Sequence, residues 1–250
     1  MKVYDNPEYY EIAFSFRDIP KEVDFIEQVI KKYSLIPVKS FLELASGNSP
    51  HMQELCRRGY SYIGLELNDE MVAFSRKNIS LLRLSAAEII KGNMVKFAVP
   101  SVVDCAVNFL GSFYVTSDDE LKSHLDSVAK ALRKGGLYVL DAAVSFFPED
   151  VRSQSWEISK GNIKVTTTYQ LRWIDESQRL SGAEIILDVD DAGVTKIMKH
   201  TEIRKIYSVD EFRKFVEVTE QWEFIDSFSD FDINKKPYEK SRNIVTLRRK

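Results

Sequence analysis

Cysteine, histidine and glycine are scarce in this chain, at 2, 3 and 10 residues among 250. Cys56 falls in an expected helix and Cys105 in an expected buried strand, with no metal-site spacing between them, so both read as reduced core thiols. No convincing triad or metal cluster is visible around the few histidines, so no catalytic residue or metal ligand is assigned. His51 suits the exposed first turn of a helix at least as well as a ligand contact, and His124 reads as solvated between the stripe positions of its helix. An excess of charge is also missing. The formal net charge is −3 and Lys and Arg are scattered, which excludes the footprint of a nucleic-acid or anionic-membrane binder and leaves a small molecule as the expected partner. No apolar run reaches the roughly 18 residues that span a bilayer, and the start has no signal-like stretch, so a cytoplasmic location is expected.

What is present is ordinary for a packed domain: 44% hydrophobic, 29% charged and 12% aromatic residues. Residues 20–33 carry Val23, Ile26, Val29, Ile30 and Tyr33 on one helical stripe. "SFLELA" then reads as a first strand, 50–58 as a helix with Gly59 at its C-terminal cap, and "SYIGLEL" as a second strand. The alternation continues through a helix from Asn68, a strand at "EIIKGN" and the apolar "VVDCAVNFL". In "SDDELKSHLDSVAKALRKGG", Ser117 and Glu120 suggest a capping box, Leu121, Leu125, Val128 and Leu132 the stripe, and Gly135 the end; "LYVLDAAV" is the fifth strand. This order predicts an α/β fold with a doubly wound, mostly parallel sheet.

From 156 to 207 the composition turns β-branched and aromatic, predicting an inserted antiparallel β meander of three strands, with Trp156, Tyr169 and Trp173 covering the sheet. Ser208 and Glu211 form a second capping box, for a helix carrying Phe212, Phe215 and Val216. "WEFIDSF" and "RNIVTLRRK" close the chain as an antiparallel pair, completing a sheet of seven strands. The expected division is 1–155 with 208–250 as the main domain and 156–207 as a lid.

In such a sheet a ligand sits beyond the carboxyl ends of the strands, where "FLELASGNSPH", Phe41 to His51, makes its turn with a single glycine, Gly47. Glu43 at the end of the first strand would oppose a pyrophosphate and attract an ammonium group. Glu66, at the end of the second, stands where a carboxylate accepts both hydroxyl hydrogens of a ribose. The pair describes a nucleoside joined to an amino acid.

On these motifs, together with "IIKGNM", "VVDCAVNFLGSFY" and "LRKGGLYVLD", the chain resembles the class I S-adenosylmethionine-dependent methyltransferases, and most of all those that act on small molecules and carry an antiparallel insertion after the fifth strand. The resemblance implies S-adenosyl-L-methionine as cofactor and methyl transfer to a nitrogen or oxygen by in-line displacement, which requires no dedicated catalytic residue. It implies that Glu43, Ala45 and Gly47 hold the methionine part, Glu66 the ribose, and Leu67 and Met71 the adenosine. Asn93 and Met94 would frame the adenine, and Asn108 and Phe109 would lie near the donor methyl. The segment before the sheet would fold over the donor, with Tyr10 near the methionine end and Arg17 on its carboxylate. That family usually has glycine where Ala45 and Ser49 stand, and aspartate where Asn93 stands.

The insertion is expected to form the acceptor-binding wall, with Arg172, His200 and Arg204 as polar handles, and to offer a homodimer surface. His200 is also weighed as a base. Two other readings share parts of the pattern: a non-catalytic S-adenosylmethionine-binding regulator, and a nicotinamide-dependent oxidoreductase, against which Glu43 and the antiparallel last pair argue.

Overall fold

The computed structural model describes residues 2–146 and 152–250. The expected alternation is present: β1 Ser40–Leu44, α3 Met52–Arg57, β2 Ser61–Glu66, α4 Asp69–Leu82, β3 Ala87–Lys91, β4 Val103–Asn108, α5 Asp118–Ala131 and β5 Leu132–Asp141, preceded by α1 Pro7–Ala13 and α2 Ile19–Tyr33. Asp18 caps α2, accepting from Lys21 N, and Asn68 caps α4, accepting from Met71 N. α6 Val209–Val218 carries the full reciprocal box of Ser208 and Glu211. With β10 Trp222–Ser229 and β11 Asn243–Arg249, the main sheet has seven strands in the order β10-β11-β5-β4-β1-β2-β3, with β11 antiparallel to both its neighbours. The direction of winding reverses between β1 and β4, which opens a crevice at their carboxyl ends.

Three local expectations are corrected. α5 stops at Ala131, and Leu132 is already extended, pairing with Val103. Gly135 therefore caps no helix; it turns β5 at φ 85°, where the β4–β5 register slips. Gly136 follows because a Cβ there would stand 2.4 Å from Asp104 O. Glu120 completes no box with Ser117: its Oε2 accepts from Thr116 N and Thr116 Oγ1, while Ser117 accepts from Glu120 N. The meander is a four-stranded sheet, β6 Arg152–Lys160, β7 Ile163–Asp175, β8 Leu180–Asp191 and β9 Val194–Lys205, so it begins before Trp156. Its inner face packs Val165, Ile185, Leu187, Val189 and Met198 against Val3, Tyr10, Ile12 and Ala13 of the N-terminal segment. Trp156 Nε1 donates to Ala13 O at 2.7 Å, so α1 is held on the second sheet.

The polar interior differs most from expectation. His51 and His124 are both fully buried. The His124 ring bridges Met94 O at 2.8 Å and Tyr138 Oη at 2.9 Å, and burial, partly offset by the carbonyl, pushes its pKa down to about 4. His51 lies between two carboxylates, Nδ1 at 2.9 Å from Glu43 Oε1 and Nε2 at 2.9 Å from Glu22 Oε2. Glu43 also accepts from Tyr62 Oη at 2.7 Å, and Glu22 from Arg17 Nε at 3.1 Å. Arg242 reaches Glu22 at 3.6 Å and pairs with Asp141, whose Oδ2 accepts from Leu110 N at 2.7 Å. Three carboxylates thus face two guanidiniums and one imidazole, and the chain of charges balances only when His51 is protonated. Burial alone would push the imidazole down; Glu43 and Glu22 outweigh it and hold its pKa above the ordinary value. Burial would likewise raise Glu22, but His51 and Arg17 hold it down at about 2. Cys105 is buried in β4, and Cys56 is half-buried.

Two outcomes follow from this interior. The stability contributed by protonated His51 is complete below its unfolded pKa of about 6.5 and declines as pH rises through the elevated folded value. Glu22 contributes fully above its unfolded pKa of about 4.3, and its share is lost as pH falls toward its folded value of about 2. His124 acts in the opposite sense to His51, losing stability as pH falls below about 6.5, but it does so in wild type and His51→Gln alike. Urea unfolding from pH 5 to 9 should therefore show His51→Gln less stable by about 3 kcal/mol at the acid end, with the gap closing at alkaline pH; a gap independent of pH would mean that His51 is neutral. Separately, Gly136→Ala should lower stability by about 1–3 kcal/mol, read as a lower urea midpoint, because its methyl meets main chain that cannot rotate away.

Candidate active site

The turn after β1 decides the shape of the crevice. Ala45, Gly47 and Ser49 all adopt left-handed φ, at 50°, 54° and 54°. Two positions with side chains thus keep a backbone that glycine adopts more cheaply. Gly47 N donates to Glu66 Oε2 at 2.7 Å, and Ser75 Oγ donates to Gly47 O at 3.2 Å, so the turn is pinned to β2 and α4. A Cβ on Gly47 would have no protein atom within 4 Å: the residue faces open space.

That space is two cavities that share Tyr10, Ala45, Gly47 and Ser112. The larger, about 930 Å3, runs along the ends of β1, β2 and β3 and brings together Glu66, Leu67, Met71, Asn93 and Met94. The smaller, about 210 Å3, holds Arg17, Glu43 and Phe109. Asn108 lines neither; it is fully buried, and its Nδ2 donates to Leu44 O and Ser112 O, which fixes the two strand ends together. Glu43 and Arg17 reach the smaller cavity already engaged, Glu43 by His51 and Tyr62, and Arg17 by Glu22. Phe109 stacks on His51 with ring centroids 3.9 Å apart.

Glu66 is 8% exposed and also accepts from Asn68 N at 2.8 Å. Burial raises its pKa more than the main-chain donors of Asn68, Gly47 and Leu67 lower it. Asn93 Oδ1 accepts from Val95 N at 2.9 Å, which leaves its amide N–H groups as donors. Leu67, at 59% exposure, offers an uncovered apolar face at the mouth, whereas Met71 closes the interior end.

The far wall comes from residues the sequence reading did not single out. Tyr4 and Asp5 precede α1, Tyr114 follows β4, and Glu202 lies on β9. His200, Glu202 and Arg204 pair with Ile185, Ala183 and Ser181 and so share the inner face of the second sheet, a period-2 pattern that was there to be read. Arg204 donates to Gly111 O at 3.2 Å, while Arg172 pairs with Gly182 on the opposite face.

The geometry fits a ligand with an apolar flat part, a diol and a charged tail, and comparison with known proteins points the same way. Residues 41–136 match the family described as a methyltransferase domain. The dTDP-3-amino-3,4,6-trideoxy-alpha-D-glucopyranose N,N-dimethyltransferase of Streptomyces venezuelae is 27% identical over 149 residues, 58% of this chain and 59% of that protein. The chain spans 59% and 47% of the lengths of the curated relatives it matches. Among solved structures, an S-adenosylmethionine-dependent methyltransferase from Clostridium acetobutylicum has a TM-score of 0.79 at 17% identity, covering 96% of this chain and 95% of its own. An amino pentose methyltransferase from Micromonospora echinaspora, solved with S-adenosylmethionine bound, has a TM-score of 0.73 at 16% identity, covering 96% of each chain. Residues 41–136 therefore match the methyltransferase-domain family, and the chain as a whole shares its fold with solved S-adenosylmethionine-dependent methyltransferases.

Proposed function

We propose that the protein is a cytoplasmic S-adenosylmethionine-dependent methyltransferase whose acceptor is a nitrogen, or failing that an oxygen, of a small molecule. The observation that carries this reading is Gly47: a left-handed residue with nothing over its α-carbon, shared by both cavities and tied to the carboxylate that a ribose would use. The nitrogen is favoured by the amino-sugar substrates for which two of the relatives are named. Among the described residues no helix is long and apolar enough to cross a membrane.

Each part of the donor finds a partner in this chain. Glu66 would accept from the ribose hydroxyls, and its contacts to Gly47 N and Asn68 N keep it oriented. Leu67 and Met71 cover the adenosine, and Asn93 and Met94 frame the adenine edge. Tyr10, Ala45 and Gly47 bridge to the smaller cavity, where Arg17, beside Glu43 and Phe109, faces the methionine end. S-adenosylmethionine supplies, when bound, an electrophilic methyl on a sulfonium that is already a good leaving group. The protein's share of the chemistry is then to hold the acceptor in line and exclude water, so a proton-transfer residue is a refinement rather than a necessity.

Calorimetric titration with S-adenosylmethionine and S-adenosylhomocysteine tests the reading. Gly47→Val should abolish binding with the circular dichroism unchanged, since its branched side chain enters ligand space and also strains the left-handed backbone of the turn. Unchanged affinity in that variant would remove the turn from the site. Glu66→Ala should weaken binding by about 1–3 kcal/mol, and the loss should be smaller when 2′,3′-dideoxyadenosine replaces adenosine as the competitor.

A further inference from the structure

The second sheet puts its edge strand, β9, over the large cavity, and the residues it presents there are His200, Thr201, Glu202 and Ile203. His200 and Glu202 are two apart on one strand and therefore on one face, and His200 Nε2 lies 2.5 Å from Glu202 Oε1. The ring is also packed at a tilt against Tyr4, centroids 4.3 Å apart and planes at 49°, which restrains its rotation. Tyr4 lines the cavity together with Tyr114, on the loop after β4. Both members remain open to the cavity, at 21% and 34% side-chain exposure, unlike His51 and His124, which have no access to it. A histidine whose Nε2–H is committed to a carboxylate has its lone pair on Nδ1 and is set up to accept a proton there, because the imidazolium that forms faces a negative charge.

The rest of the lining favours a cation. Asp5, Glu66, Asp69, Glu70, Glu120 and Glu202 bring carboxylates to the cavity, against Lys2 as the one lysine or arginine among the described lining residues. A small amine is mostly an ammonium ion near neutral pH, attracted to such a cavity but not nucleophilic until a proton leaves. The relative from Streptomyces venezuelae is named for an acceptor carrying a nucleoside diphosphate; an acidic wall opposes that group and suits a free amine.

We propose that His200 and Glu202 bind the methyl acceptor by a protonated amine and take its proton before transfer, a role that rests on the methyltransferase reading above. Glu202 anchors the ammonium, and His200 Nδ1 receives one N–H proton, becoming an imidazolium held by Glu202. The freed nitrogen lone pair forms the new N–CH3 bond as the electrons of the S–CH3 bond return to sulfur, so the positive charge moves from sulfur to nitrogen. The first product is a methylammonium and S-adenosylhomocysteine, and the proton on His200 leaves to water between turnovers.

The test uses the full chain loaded with S-adenosylhomocysteine and three probes that share one hexose ring: glucosamine, glucose and glucose 6-phosphate. Glucosamine should bind about tenfold tighter than glucose, the value of one charge-assisted contact, and glucose 6-phosphate more weakly than either. Glu202→Gln should erase the preference for the amine while S-adenosylhomocysteine binds as before. In methyl transfer to glucosamine, His200→Ala should lower kcat by about 100-fold, with free imidazole restoring part of the rate, a rescue that a packing role would not give. A wild type that fails to bind S-adenosylhomocysteine overturns the methyltransferase reading itself. One that binds it but shows no amine preference, or a Glu202→Gln protein that keeps the preference, overturns the assignment of this pair, and a His200→Ala enzyme with wild-type kcat overturns the proton transfer.

Discussion

The carboxyl edge of the sheet is held in place by one buried chain of alternating charge, from Asp141 through Arg242, Glu22 and His51 to Glu43, with Arg17 as a branch. It joins the end of β5, the loop before β11, α2, the start of α3 and the end of β1. Removing so many charges from water is costly, and the arrangement holds because every carboxylate meets a cation within hydrogen-bonding range. Hydrophobic packing alone would leave these segments free to slide; directional partners fix where Arg17 and Phe109 stand. The floor of the smaller cavity is therefore made by electrostatics, whereas the larger is shaped by main-chain turns and by the second sheet.

The two cavities meet at Gly47, and that junction organises a division of labour. One side is closed by the engaged groups of the charge chain and has little room. The other is wide and bordered by residues 2–10 and by β9, parts that come from opposite regions of the chain. Because α1 is anchored to the second sheet by Trp156 and by shared apolar contacts, those two parts behave as one wall facing the strand ends. In the proposed reading, strand ends set donor recognition and the second sheet sets acceptor choice, so the two can vary separately.

Much of this was legible because the periodic segments are long and their caps conventional. α2, α4 and α6, the six strands from β1 to β4 with β10 and β11, and the gathering of residues from Ala45 to Met94 around one cavity all follow from spacing and from the resemblance. The strand β6 was overlooked because "RSQSWEISK" alternates polar residues with few apolar ones and resembles a loop until β7 supplies its partner. The sequence overstates α5 because Leu132 continues the helical stripe, although its side chain packs from an extended backbone. The histidines were misjudged for a different reason: local sequence shows neither Glu22 and Glu43 closing on His51 nor Tyr138 closing on His124, since those partners come from distant segments. Burial of a polar residue is decided by the partners the fold provides.

The left-handed turn has a thermodynamic side as well. Ala45 and Ser49 hold conformations that most residues avoid, at a cost of roughly 1 kcal/mol apiece to the folded state. The same side chains narrow the range of shapes open to the turn, compared with the flexible glycines that could replace them. A loop already confined to its working shape loses less freedom when a ligand settles on it. The chain gives up a little stability to its native turn, and the heat of donor association should in consequence be opposed by a smaller ordering entropy than in a glycine-rich version of the same loop.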